Sequence, residues 1–294
     1  MPPAQPSAIL ITGPTASGKS GLALRLAKEQ GGKIINADSM QVYAELRILT
    51  ARPSVADEAR VPHALYGFVP AAEAYSVGRF VADAAKAIDE ARREGRVPII
   101  VGGTGLYFKA LLEGLSPIPA IDDGVRARWR SAAEQLGAAE LHRQLAARDA
   151  VMAGRLSPTD TQRIVRALEV LDSTGQSLAV WQTKPKTPIL DAATATCLVV
   201  DADRADLVAR ADKRFDQMIA DGALAEAESL AKRHLDPALP AMRAIGVAPL
   251  IAAVRGERPL AEAIETAKAE TRQYIKRQQT WLNGNMITWN RISA

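Results

Sequence analysis

The chain has 294 residues, 48% hydrophobic and 24% charged, the composition of an ordinary globular protein with enough core for one or two domains. Its one cysteine, Cys197, excludes a disulfide within the chain and argues against a cysteine-built zinc site. No run approaches the roughly eighteen apolar residues of a membrane span, no secretory leader is read at the start, and the net charge of +4 (pI about 9.2) is too mild to fix a partner. These features fit a protein of a reducing, cytoplasmic compartment with no membrane attachment, and a monomer is expected.

Residues 8–12 form a short apolar run leading into glycine, which predicts a buried strand. Apolar residues at helical spacing follow over 20–30, with Gly31 and Gly32 as the stop. Residues 33–38 read as a second strand, 76–95 as an amphipathic helix, 97–103 as a third buried strand and 105–114 as a helix. Strands alternating with helices predict a parallel sheet covered on both faces, an α/β fold.

The pattern changes at the proline-rich stretch 115–124. From 125 to 175 only helical signals are found, with Ser157-Pro158 read as one helix start. A second proline-rich linker, 183–188, precedes a strand over 196–203, a long helix to about Arg233 and a last helix from Pro259 to about Leu282. The expected organisation is an α/β core of 1–120 and 190–294, interrupted by an all-helical insert of 121–189. The tail from Lys268 carries Lys268, Arg272, Lys276, Arg277 and Arg291 against Glu270. That local excess suggests an anionic partner such as RNA, or else a solvated helix face.

Gly13-Pro14-Thr15-Ala16-Ser17-Gly18-Lys19-Ser20 matches G-x-x-x-x-G-K-[ST] in full, between a predicted strand and a predicted helix. Such a loop turns backbone N–H groups inward around phosphate oxygens, at a helix N-terminus that adds positive potential. Lys19 supplies a point charge, and the Ser20 hydroxyl can ligate Mg²⁺ bridging the phosphate oxygens. The motif identifies phosphate, not the reaction. Two strand-end acids, Asp38 and Asp201, could serve a metal. Asp201 can equally cap the helix that follows it, and no N-K-x-D motif supports a GTPase.

Asp38 sits in "NADSMQVY" at the carboxyl end of its strand, beside the phosphate loop. There it can ligate metal or accept a proton from a nucleophile, or it can simply stabilise a turn. Ser39 and Gln41 bring neutral hydrogen-bonding groups suited to a base edge. "VGGTGLYF" ends another strand in the same way, with two glycines that permit close backbone approach and the Thr104 hydroxyl.

Together "GPTASGKS", "NADSMQVY", "VGGTGLYFKALLEG", "LSPIP", "RIVRALEV", "MRAIGV" and "KRQQTWL" resemble, in order and spacing, the tRNA isopentenyltransferase family, the tRNA dimethylallyltransferases. The resemblance covers nearly the whole chain and implies a P-loop NTPase-like sheet with a tRNA-contacting helical insert. It implies transfer of a dimethylallyl group from dimethylallyl diphosphate, with Mg²⁺, to N6 of the adenosine just 3′ of the anticodon in the tRNA anticodon stem-loop. By resemblance, Gly13, Thr15, Ala16, Ser17, Gly18, Lys19, Ser20 and Arg214 hold the diphosphate, Ser20 also meeting the metal. Asp38 is the general base, and Thr104 lies near the reacting centre. The tRNA-contacting set comprises Asp38, Ser39, Met40, Gln41, Thr104, Arg126, Gln162, Arg163, Ile164, Val165, Arg166, Met242, Arg243, Ala244, Ile245, Gly246 and Val247.

The chain departs from the family pattern in three places. Leu49 and Arg52 stand where many relatives have glycine and lysine. Val247 stands where many have tyrosine. The C-terminal zinc finger of eukaryotic members is not found, which fits a bacterial-type enzyme. The competing readings are an ATP-dependent small-molecule kinase with a helical lid, and a non-catalytic RNA-binding protein.

Overall fold

The computed structural model describes residues 6–293. Contacts divide the chain into two compact units, Met1–Leu112 with Pro188–Ala294, and Glu113–Thr187.

The first unit is built on six parallel strands: β1 (Ile9–Thr12), β2 (Gly32–Asn36), β3 (His63–Ala64), β4 (Val97–Gly102), β5 (Thr196–Asp201) and β6 (Asn290–Ser293). Their order across the sheet is β3-β2-β4-β1-β5-β6. The central strands β1 and β4, and the middle of β2, are almost continuously apolar because both faces are covered. Leu10, Ile35, Ile100 and Val199 face one core, while Ile9, Ile11, Ile34, Ile99, Val101 and Val200 face the other. This is the alternation that a pleated strand imposes.

Helix α1 (Lys19–Gln30) packs Leu22, Ala23 and Ala27 on the second face. After the short α2 (Val55–Glu58), α3 (Val77–Arg93) and α4 (Gly105–Glu113) cover the first face, where Phe80 stacks on Tyr107 with ring centroids 3.8 Å apart. From β1 the chain passes over β4 to reach β2, while β5 lies on the other side of β1. Such a reversal opens a crevice at the carboxyl ends of the strands.

In the second unit, α5 (Asp123–Arg148) is broken at Gly137, whose φ of 75° and ψ of 167° leave the helical region. With α6 (Ala150–Ala153), α7 (Thr161–Thr174) and α8 (Leu178–Thr183) it encloses a core around Trp129, Leu141, Leu145, Ile164 and Leu168. Asp172 is its polar hub. It accepts from Trp129 Nε1 at 2.8 Å and pairs with Arg128 and Arg148. Burial opposes its charge, but those donors win and hold its carboxyl below the usual range.

Several expected boundaries move. Helix α7 starts at Thr161, not at Ser157-Pro158, because Asp160 accepts the Arg163 N–H as the cap. The long helix expected up to Arg233 is two, α9 (Arg204–Ala220) and α10 (Ala223–Ala231), parted at Gly222 with φ of 106°. Strand β2 stops at Asn36, so Asp38 lies in the loop beyond it. Asp201 does not cap α9; Asp203 does, while Asp201 ends β5 and pairs with Arg291 of β6 at 2.5 Å. A 3₁₀ turn (Pro240–Arg243) leads to α11 (Val247–Val254), and α12 (Leu260–Asn285) closes the first unit's helical layer.

Candidate active site

Two adjoining cavities, about 270 and 50 Å³, lie within the first unit and share Thr15, Lys19, Asp38, Thr50, Ala51 and Arg214 in their walls. The smaller is polar and adds Ser20, Gln41, Tyr66, Val101 and Gly102. The larger runs on to Leu49, Ala211, Phe215, Met218, Ala244 and Ile245, with Ser39, Met40, Arg243, Thr271, Tyr274, Arg277 and Gln278 completing it.

The phosphate loop leaves β1 and enters α1 through two left-handed residues, Ala16 at φ 63° and Gly18 at φ 89°. Holding alanine there costs about 1 kcal/mol, and a loop alternating between hands turns its N–H groups to one side. The first turn of α1 adds further N–H groups without intrahelical partners. Lys19 Nζ donates to Pro14 O at 3.1 Å. Desolvation pulls its ammonium down to about 8, with Asp38 raising it and Arg214 lowering it further. Arg214 is also largely desolvated, which lowers it, while Asp38 acts the other way. Its Nη2 donates to Thr15 Oγ1 at 2.5 Å. Ser17 Oγ is buried without a hydrogen-bond partner.

Asp38 is held by its backbone. Ala37 N–H donates to Val101 O at 2.8 Å, and Asp38 N–H donates to Asn36 Oδ1 at 2.8 Å. The two strand ends fit together because Gly102 has no side chain: a Cβ there would stand 2.1 Å from the Ala37 carbonyl. Asp38 Oδ1 accepts the Met40 N–H at 2.9 Å, so a turn is stabilised, while Oδ2 lies towards Gly103. Burial first, and then the charge of Asp38, push the hydroxyls of Tyr66, Tyr107 and Tyr274 above the ordinary tyrosine range.

Thr104 is not in the cavity wall. Its Oγ1 accepts the Ser39 N–H at 3.0 Å and donates to Ser39 Oγ at 3.3 Å, so it braces a residue that is in the wall. Gln41 Nε2 is spent on the carbonyls of Thr50 and Ala51 at 2.9 and 3.1 Å. Of residues 242–247, Arg243, Ala244 and Ile245 line the larger cavity. Val247 is 0% exposed and packs in the core, so its side chain has no surface for a contact with RNA.

In the second unit, Ile164 is likewise 0% exposed and belongs to the core face of α7. Gln162 and Arg163 are exposed, and Val165 and Arg166 half-buried. Arg163 pairs with Asp160 at 2.9 Å, Arg166 with Glu169 at 3.4 Å and Arg126 with Asp123 at 2.9 Å.

Gln278 is the main participant that sequence reasoning left without a role. Only 6% exposed, it accepts the Thr15 N–H at 2.8 Å and donates to Gly103 O at 3.1 Å. It therefore ties the phosphate loop to the end of β4. The available signal was a buried stripe along α12, Ala263, Ala267, Thr271, Ile275, Gln278 and Leu282, that carries a glutamine.

For a metal, no cluster of three or more His, Cys, Asp or Glu occurs among the described residues. Ser20 and Asp38 both line the polar cavity and are hard oxygen donors. They suit a hard divalent cation that completes its shell with phosphate oxygens and water. No helix among the described residues is long and apolar enough to cross a membrane.

The model of the IPP transferase family matches residues 41–285, and that of the isopentenyl transferases matches residues 6–62. A tRNA dimethylallyltransferase of Methylocella silvestris is 54% identical over 94% of this chain and 91% of its own. One of Mesorhizobium japonicum is 53% identical over 97% and 89%. The crystal structure of a tRNA isopentenylpyrophosphate transferase from Bacillus halodurans superposes with a TM-score of 0.70 at 31% identity, over 98% of this chain and 90% of that one. A eukaryotic dimethylallyltransferase studied acting on tRNA superposes with a TM-score of 0.78 at 28% identity, over 94% and 69%. With a family model spanning most of its length and relatives above half identity, the chain belongs to the IPP transferase family.

Proposed function

We propose that this enzyme transfers a dimethylallyl group from dimethylallyl diphosphate to N6 of the adenosine 3′-adjacent to the anticodon in tRNA, releasing diphosphate. The observation that carries the reading is one continuous lining in which a phosphate loop, two desolvated cations and a carboxylate adjoin an apolar lobe. The loop residues Gly13 and Thr15 to Ser20, together with Arg214, hold the diphosphate. Ser20 and the diphosphate oxygens would hold Mg²⁺, which would supply positive charge to the leaving group.

In the transfer, the N6 lone pair forms a bond to C1 of the allyl group. The C1–O bond breaks and its electron pair leaves on the diphosphate. The proton displaced from N6 goes to the Asp38 carboxylate. Lys19, Arg214 and the loop N–H groups stabilise the charge that develops on the departing oxygen, in a cavity where such donors act strongly. Neutral adenine is a weak nucleophile, so the barrier falls mainly by orientation and proton removal. Asp38 Oδ1 is fixed by the Met40 N–H, which leaves Oδ2 for that proton. The base leaves the loop stack to reach this cavity. Thr104 acts at the reacting centre through Ser39.

Residues 121–189 are the tRNA-contacting insert, with Arg126, Arg163 and Arg166 meeting backbone phosphates. The exposed Arg243 at the cavity rim does the same, and Met40 and Ile245 meet the flipped base. The enzyme works in the cytoplasm as a monomer. An ATP-dependent kinase is not favoured by the similarity to dimethylallyltransferases.

Incubation with labelled dimethylallyl diphosphate, Mg²⁺ and unmodified tRNA is expected to place label on that adenosine. Unlabelled tRNA together with ATP turnover on a small acceptor would overturn the reading.

A further inference from the structure

The apolar lobe includes a seam, between Leu49 and Phe215, that the transfer chemistry does not use. We propose that Leu49, locked in place by Glu226, sets the length of prenyl chain the site accepts, admitting a five-carbon donor and excluding a ten-carbon one. The proposal rests on the prenyl-transfer reading above.

The lobe has a solvent-facing side. Its two exposed cations, Arg243 and Arg277, suit the nucleic acid. Thr50 and Ala51 belong to both cavities, and the wall continues from them to Leu49 and on to Phe215. A chain whose diphosphate lies on the phosphate loop therefore follows that wall towards Leu49.

The seam is tight. Leu49 is 8% and Phe215 5% exposed. Leu49 Cδ2 and Phe215 Cζ both come within 3.3 Å of the point where a Cβ on Gly246 would stand. Gly246, at φ 87°, carries none, so the two side chains close over bare backbone.

The wall is also stiff, and a wall discriminates by shape only if it does not yield. The Glu226 carboxylate accepts three consecutive backbone N–H groups, from Arg47 and Ile48 at 2.8 Å and from Leu49 at 2.9 Å. Charge-assisted bonds of this kind are stronger than neutral ones. Gln41 holds the next two residues through their carbonyls. Glu226 lines neither cavity, so it is a positioning residue acting through Leu49.

The test compares kcat/KM for geranyl diphosphate and dimethylallyl diphosphate on the same tRNA. Leu49→Ala is expected to raise the geranyl-to-dimethylallyl ratio by about 10- to 100-fold, the range a few methylenes command in an apolar pocket. Leu49→Val should shift it the same way by less. Glu226→Gln, which leaves the side chains of the cavity wall intact, should shift it by a few-fold. Circular dichroism and melting verify folding, and if Leu49→Ala does not fold, Leu49→Val and Glu226→Gln decide. An unchanged ratio in folded variants overturns the proposal, as does a change confined to KM for tRNA. Wild-type protein with the five-carbon donor is the control. If it transfers nothing, the function reading fails; if it transfers normally while the ratio stays fixed, only the chain-length proposal fails.

Discussion

The cations of the cavity and those of the helical insert are kept in opposite ways. Lys19 and Arg214 have no carboxylate within ion-pair distance among the described residues, and desolvation lowers both. Arg126, Arg163 and Arg166 each rest on an acid of their own helix or its cap, with much of the side chain in water. A cation stripped of water and left with neutral hydrogen-bond partners but no ion-paired carboxylate costs stability that an arriving anion can restore. A solvated arginine in a surface pair, as at Arg126 and Arg163, is worth only about 0–1 kcal/mol and gives up its partner easily, while Arg166 rests on the buried Glu169. On the proposed function, the cavity is thus preorganised for one diphosphate, whereas the insert would present exchangeable charge to the tRNA.

The sharpest way to break this contrast is Lys19→Met. Transfer should fall by 10³-fold or more, as when a preorganised charge donor is removed. Yet the ligand-free protein should gain about 3 kcal/mol at neutral pH, because a lysine lowered from 10.5 to about 8 opposes folding by that order. The cost is full below pH 8 and fades between about 8 and 10.5, where the unfolded chain holds the proton that the native one has lost. The melting advantage of the variant should shrink over the same interval. Diphosphate binding raises the Lys19 pKa again. The contribution of Lys19 to diphosphate affinity, read as the difference between wild type and Lys19→Met, should therefore be constant below about pH 8 and weaken above it. A variant no more stable than wild type would show that Lys19 is not under desolvation stress.

Next in size is Asp38→Asn, expected to lower kcat by roughly 10²- to 10⁴-fold with little change in tRNA affinity. Equal losses in single-turnover rate and in tRNA binding would remove Asp38 from the base role.

The comparison also explains what was legible in the sequence. The strands β1, β2 and β4 were legible because a doubly covered sheet writes itself as unbroken apolar runs, and Asp38 was legible because it follows one of them. The two-residue β3 and the largely exposed Asn290–Ser293 edge carry no such run. The break between α9 and α10 was hidden because helical periodicity resumes directly after Gly222. Ser157 and Asp160 are both capping types, and which of them caps α7 is settled by local turn geometry rather than by residue type. Gln278 meets Thr15 across 263 residues, and no local pattern announces a bond of that span. The same holds for Thr104, whose hydroxyl was legible while its partner Ser39 was not.

Gln278→Glu probes the preorganised side of the contrast more gently. It keeps the shape and the acceptor for Thr15, removes the donor to Gly103, and sets a carboxylate beside the phosphate loop. About a tenfold rise in KM for dimethylallyl diphosphate is expected, exceeding any change in KM for tRNA. The reverse order of effects would place Gln278 on the nucleic-acid side.

The smallest expected effects belong to the insert. On the proposed function, Arg163→Ala and Arg166→Ala each remove one phosphate contact; Arg163 leaves only a surface pair with Asp160 to make it, whereas Arg166 leaves the buried Glu169. Affinity for tRNA should drop a few-fold per substitution, with kcat at saturating tRNA nearly unchanged. The slope of log K against log salt should become shallower by a little under one per residue. Titrations at several salt concentrations measure this directly. A loss of kcat at saturating tRNA, with the salt slope intact, would mean that these arginines act on the chemistry rather than on docking. The division between a cavity that stores charge and an insert that lends it would then not hold.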